Sequence, residues 1–225
     1  MRITGGAWRG RQLHPISGFI GRPTTDFGRE GLFNLLRTRL DLQGADVLDL
    51  FAGTGMVGIG CASRGAGSIT SVEKQNKSCK QIKEHFKSLG YESAVVVTGD
   101  CFSFIQKASS SFELVFADPP FEMKDLEKIP GLVNKSGIVR KDGVFVLEHG
   151  ERRVFSEEEG FVESRKFGHV VFSFFCVLRS CAAYLRVRYT ASSVLLSFLT
   201  PNCVSCRFLS RPAASRFCSI EANIL

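Results

Sequence analysis

Two short stretches hold residue types whose order suggests chemistry. The first is Asp118-Pro119-Pro120-Phe121. Consecutive prolines fix the backbone and remove two N–H donors, which leaves carbonyls and one carboxylate to face a ligand beside an aromatic ring. Such an acceptor-only surface suits a planar base or amide whose amine must be held and stacked; the plainer reading is a rigid loop. The second stretch is Asp49-Leu50-Phe51-Ala52-Gly53-Thr54-Gly55-Met56-Val57-Gly58. Gly53 and Gly55 permit a tight turn and close approach of backbone to a ligand, and Gly58 lets a following helix lie close to the strand. A carboxylate four positions before the first glycine repels phosphate and favours a ligand with a cationic amino group, although a capping Asp in a β–α turn has the same sequence.

Two more acids follow the same logic. Glu73 comes about 20 residues after the glycine loop, where a carboxylate can accept from two ribose hydroxyls; an N-cap or surface Glu is the alternative. Asp100, next to Cys101, can accept from an adenine amine or cap the next helix.

The elements that must position these residues alternate in type. Ala45–Leu50, Ser68–Val72, Ala94–Thr98, Phe112–Ala117 and Val144–Leu147 read as strands. Segments 55–63, 75–89 and 101–108 read as helices, and Met123–Val133 as a helix broken by Pro130-Gly131. Phe161–Phe167 and Val170–Phe175, split by Gly168-His169, suit a closing hairpin. Alternating strands and helices predict a doubly wound α/β sheet of mostly parallel strands, buried on both faces. Ligands bind such sheets beyond the strands' carboxyl ends, where all four motifs fall.

The 225 residues are 44% hydrophobic and 23% charged, which suits an ordinary core rather than a disordered or fibrous chain. No apolar run reaches the ~18 residues of a membrane helix, and the N-terminus lacks a signal-peptide core, so a cytoplasmic location is expected. Residues 1–39 carry seven Arg against Asp26 and Glu30, residues 40–175 carry 16 basic and 19 acidic side chains, and residues 176–225 carry six Arg against Glu221. Basic ends around a mildly acidic middle suit a polyanion such as nucleic acid, or a merely solvated basic face. Cys61, Cys79 and Cys101 are isolated, as reduced thiols are. The other five cysteines crowd the last 50 residues, where Cys203-x-x-Cys206 lacks a second ligand pair for zinc; no metal is expected.

Taken together, Asp49-x-Phe51-Ala52-Gly53-Thr54-Gly55 and Asp118-Pro119-Pro120-Phe121 resemble the motifs of S-adenosylmethionine-dependent amino-methyltransferases. Arg2-Ile3-x-Gly5-Gly6-x-Trp8-Arg9-Gly10-Arg11-x-Leu13 and Arg22-Pro23-Thr24-Thr25-Asp26-x-x-Arg29-Glu30-x-Leu32-Phe33-Asn34 narrow the resemblance to the RsmD family of bacterial methyltransferases, which modify a guanine N2 in 16S ribosomal RNA. It covers about residues 1–175. It implies a seven-stranded Rossmann-like sheet with the last strand antiparallel, and S-adenosylmethionine as cofactor, held by Asp49, Phe51, Gly53, Gly55, Glu73, Asp100 and Cys101. Asp118, Pro119, Pro120 and Phe121 would carry the chemistry on a flipped or unpaired guanine. Arg2, Arg9, Arg11, Arg22 and Arg29 would hold phosphates of 16S ribosomal RNA, in the small subunit or an assembly intermediate, with the protein acting as a monomer.

The implied organisation is a basic RNA-binding element over 1–39, a methyltransferase domain over 40–175 and a Cys/Ser/Arg-rich tail over 176–225, expected to be poorly ordered. Phe27-Gly28 departs from the family's usual basic-then-apolar pair, and Gly60 stands where a carboxylate is usual, predicting a looser helix. Asp-Pro-Pro-Phe also suits an adenine N6 or a glutamine amide, so DNA adenine methylation is a rival reading. A non-catalytic RNA-binding or assembly factor is another, opposed by the intact Asp49, Glu73 and Asp118.

Overall fold

The computed structural model describes residues 1–14 and 24–176. Arg22, the zinc question at Cys203 and Cys206, and the expected tail beyond residue 176 lie outside the described residues.

Seven strands form one sheet: β1 (Asp46–Leu50), β2 (Ser68–Glu73), β3 (Ala94–Thr98), β4 (Phe112–Ala117), β5 (Val139–Gly150), β6 (Phe161–Phe167) and β7 (Val170–Cys176). Their order is β3-β2-β1-β4-β5-β7-β6. The first five are parallel, and β7 runs antiparallel to both its neighbours. The order reverses between β1 and β4, so the crevice for a ligand opens at their carboxyl ends.

Alternation along the strands divides the core. Val47, Leu114, Phe116, Val144, Val146, Phe172 and Phe174 face one side, under α1 (Asp26–Leu36), α2 (Met56–Ala62) and α3 (Asn76–Ser88). Leu48, Leu50, Val115, Phe145 and Leu147 face the other, under α4 (Cys101–Lys107) and α5 (Ile129–Ser136). Both faces are therefore covered, as the near-continuous apolar strands require. The N-terminal segment shares the first core through Ile3, Leu13, Leu32, Phe33 and Leu36.

Three expectations about the limits and breaks of elements change. β5 extends well beyond Val144–Leu147, to Gly150 at its carboxyl end, because its pairing with β7 continues through Glu148, His149 and Gly150. Pro130 does not break a helix: it sits in the first turn of α5, where its missing N–H has no intrahelical partner to lose. β7 takes in Cys176, which is buried opposite Val144 and donates its N–H to the Gly160 carbonyl, so a boundary after Phe175 cuts the strand one residue short. Helix α1 carried no sequence expectation, since Gly28 and Gly31 depress its propensity. Thr25 caps it by accepting from the Gly28 N–H at 3.1 Å, and burial of Leu32, Phe33 and Leu36 holds it.

Gly60 is explained by α1 as well. A Cβ there would lie 2.5 Å from the Phe33 ring, and the Arg64 guanidinium covers that ring at 3.6 Å. The glycine lets α2 approach α1 rather than loosening the helix.

Candidate active site

The crevice is built from strand ends. Asp49, the last residue but one of β1, lies on the α2 side, 2% exposed, and accepts from the Gly58 N–H at 3.0 Å. Burial pushes its carboxyl up to about 8. The glycine loop that follows turns through left-handed backbone at Phe51 (φ 57°), Gly53 and Gly55. A Cβ at Gly55 would meet Ile82 of α3 at 2.9 Å, so close approach and positive φ both require glycine there. Phe51 is the non-glycine exception, and left-handed backbone in such a residue is stored strain of the kind found at ligand clamps.

Glu73 ends β2 and is also buried. One oxygen accepts from the Gly53 N–H and the other from the Gln75 N–H, both at 2.8 Å. The acid thereby ties the second strand to the glycine loop. Each carboxylate oxygen keeps a further lone pair for a ligand hydroxyl.

Asp100 is exposed and caps α4, accepting from the Ser103 N–H at 2.9 Å. The capping reading is formed, and it uses only one of the two carboxylate oxygens. Cys101 departs from its expected ligand role. Its side chain is 3% exposed, and Sγ accepts from the Phe51 N–H at 3.2 Å beneath the loop. Burial pushes the thiol up to about 12. It is a neutral strut that braces the loop.

On the target side, Asp118 follows β4 and donates its N–H to the Leu50 carbonyl at 3.3 Å, joining the two strand ends. It is half-buried, Pro119 is buried, Pro120 is exposed, and the Phe121 ring is 38% exposed. That ring lies against Gly150, 3.2 Å from where a Cβ would be. Asp49, Glu73 and Asp118 thus stand at the ends of three strands around one crevice, with an open aromatic face at its target side.

Sequence reasoning missed two residues here. The register pairs Phe116 with Val146, so two steps further along each strand Asp118 comes beside Glu148. Glu148 is 2% exposed. The Thr24 hydroxyl lies 2.9 Å from Glu148 Oε2 and 3.5 Å from Asp118 Oδ2. Burial pushes both carboxyls up, and the Asp118 charge raises Glu148 further. Glu148 carried the same signal as the other acids, a carboxylate continuing the Val144-Val146 face to a strand's end. Thr24 had no such signal beyond its place in a motif.

The basic residues separate into two kinds. Arg9 and Arg11 are exposed on the N-terminal hairpin, and Arg2 is half-exposed with Asp26 at 3.3 Å. Arg29 is 3% exposed. Its guanidinium donates to the Thr24 carbonyl at 2.7 Å, the Arg2 carbonyl at 3.0 Å and Asp26 at 2.6 Å. This contradicts a phosphate-binding role: the side chain pins the segment that brings Thr24 to the crevice.

Comparison with known proteins agrees with this layout. The family model described as "Conserved hypothetical protein 95" matches residues 1–176. Ribosomal RNA small subunit methyltransferase D of Escherichia coli K12 is 36% identical over 149 residues, 66% of this chain and 74% of that protein. The Haemophilus influenzae protein of the same name is 30% identical over 152 residues, 66% of this chain and 78% of its own. A hypothetical protein of Thermus thermophilus, of solved structure, superposes with a TM-score of 0.69 at 32% identity, covering 79% of this chain and 99% of that one. With its glycine loop, strand-end acids and Asp-Pro-Pro-Phe turn on this sheet, the chain belongs to the RsmD family.

Proposed function

We propose that this protein transfers a methyl group from S-adenosylmethionine to the exocyclic N2 of a guanine in 16S ribosomal RNA. One observation carries the reading: Asp118 and Glu73 both lie close enough to Asp49 for their charges to act on it, and the exposed Phe121 ring follows Asp118 in the same turn. The donor set fits the cofactor. Glu73 is placed for ribose hydroxyls, Asp49 for the ammonium group, and the left-handed glycine loop for close backbone contact. The two small-subunit methyltransferases above are relatives over 66% of this chain, which favours ribosomal RNA, and with it the cytoplasm, over DNA.

Bound there, S-adenosylmethionine supplies a methyl group on a sulfonium, already activated without a metal. The chain must hold and aim the amine. A guanine N2 is a weak nucleophile because its lone pair is delocalised into the ring. Asp118 and the Pro119 carbonyl accept its two N–H groups and favour a pyramidal nitrogen whose lone pair points at the methyl carbon. Phe121 stacks on the base, which must be unpaired or flipped. Asp118 would take the proton that the nitrogen loses on methylation. Most of the acceleration comes from alignment and a fixed dipole environment. Arg9 and Arg11 contribute affinity through phosphates.

The test is transfer of radiolabelled methyl groups to 16S ribosomal RNA, naked and in particles, followed by identification of the modified nucleoside. N2-methylguanine is the expected product. Asp118→Ala should abolish transfer while cofactor affinity stays near wild type. A product methylated at adenine N6, or turnover retained in Asp118→Ala, would overturn the assignment.

A further inference from the structure

The Thr24 hydroxyl stands between two carboxylates with one hydrogen to give. It lies 2.9 Å from Glu148 and 3.5 Å from Asp118. A hydroxyl can donate to only one of them, and the 3.5 Å contact is longer than an O–H···O hydrogen bond, so bonding to both carboxyls needs that gap to shorten and a second hydrogen from an acid. The nearby cation does not substitute for it: the Arg29 guanidinium is bonded to Asp26 and to two backbone carbonyls. Around Glu148, β4 presents Asp118, α1 and its leader present Arg29 and Thr24, and the residue opposite on β7 is Phe172, which carries no charge. Asp49 of β1 adds a further acid on the Asp118 side. Two carboxylates this close in a poorly hydrated corner cannot both ionise without a large penalty.

We propose that Asp118 and Glu148 share one proton through Thr24, with Glu148 holding it as the neutral acid so that Asp118 meets the target amine as the ionised acceptor. The inference rests on the methyl-transfer reading above and deepens it. Burial decides the direction. Glu148 is 2% exposed, whereas Asp118 keeps partial contact with solvent, and Glu148 also carries the Asp118 charge against it, so Glu148 is the costlier one to ionise. The hydrogen bonds then run one way, from the Glu148 O–H to Thr24 Oγ1 and from the Thr24 O–H to Asp118 Oδ2. With the 3.5 Å gap to Asp118 closed, this chain orients the Asp118 carboxylate and leaves its other oxygen for the substrate. When Asp118 takes the amine's proton both acids become neutral, and release of that proton to water restores the pair. Glu148 and Thr24 are positioning residues, acting through Asp118.

Two measurements test it. Infrared difference spectra of the cofactor-free protein at neutral pH should show a protonated-carboxyl band that is lost in Glu148→Gln and kept in Asp118→Asn, with Asp49→Asn identifying any band of Asp49. Single-turnover transfer at saturating RNA should decline at alkaline pH in the wild type, as Glu148 loses its proton. Glu148→Gln, whose amide donates permanently to Thr24, should be several-fold slower at neutral pH and lack the alkaline decline. Thr24→Val should lose about 100-fold in rate, the cost of misplacing a catalytic group, with cofactor affinity retained. The proposal is overturned if Glu148→Gln removes no carboxyl band, if Asp118→Asn removes it instead, or if Glu148→Gln keeps the alkaline decline. A wild-type protein that shows the band but methylates no ribosomal RNA leaves the proton assignment standing and removes the proposed function.

Discussion

Replacing Arg29 by Ala separates a role in RNA binding from a role in building the crevice. A phosphate contact contributes about 0.7–0.9 to the slope of log affinity against log salt. If Arg29 made one, its loss would flatten the slope by that much and leave folding almost untouched. The structure predicts the reverse. The side chain is 4% exposed and bonds two backbone carbonyls, Thr24 and Arg2, at 2.7 and 3.0 Å. Hydrogen bonds from a charged donor are worth about 1.5–3 kcal/mol each. The third partner adds little, because the Asp26 side chain is 44% exposed and rehydrates when its cation is removed. Since neighbouring losses are not additive, about 2–4 kcal/mol of stability should disappear. Urea unfolding reads this as a lower midpoint with an unchanged m-value, while the salt slope of RNA binding stays at its wild-type value. Arg29→Lys should recover little, because one ammonium on a flexible stem does not reproduce the planar fork. Arg9 and Arg11 are the control: both are exposed, and their double Ala variant should flatten the slope by up to nearly two units without moving the midpoint. A flatter slope in Arg29→Ala with an unchanged unfolding midpoint would refute the structural role.

Asp49→Asn should stabilise the cofactor-free protein while weakening cofactor binding. The folded-state carboxyl is raised from 3.8 to about 8 by burial, so the native state binds a proton that the unfolded state has lost. Wild-type stability therefore falls as pH rises across that interval, and the advantage of Asn should grow over the same range; unfolding curves at several pH values read it, and a pH-independent difference would contradict the shift. Gly60→Ala should not give the roughly 1 kcal/mol gain expected of Ala in a helix interior. The new methyl would overlap the Phe33 ring, 2.5 Å away and covered by Arg64, and overpacking costs about 1–3 kcal/mol; chemical denaturation showing a full gain of about 1 kcal/mol would rule out that contact.

Much of the site was legible locally because its signals are local. Apolar strand runs alternate with helical segments, and in such a sheet ligand contacts gather at carboxyl ends. Asp49, Glu73 and Asp118 could therefore be picked out by their position in the chain, as could the left-handed turn at Gly53 and Gly55. Charge type alone carries no information about burial. Arg9 and Arg29 look alike in the sequence, yet one stands in solvent and the other is enclosed by Thr24, Arg2 and Asp26. That difference arises only when α1 packs against the sheet. Glu148 shows the local signal of an acid at the end of an apolar run, but its partners Asp118 and Thr24 come from segments distant in sequence. Gly60 looked like a weakness until the Phe33 ring filled the space beside it. Residue order determined which acids end the strands and which glycines turn the loop. The register of β4 against β5, and the docking of the N-terminal segment across them, decided that Asp118, Glu148 and Thr24 meet, because hydrogen bonds between distant segments form only once burial has brought those segments together.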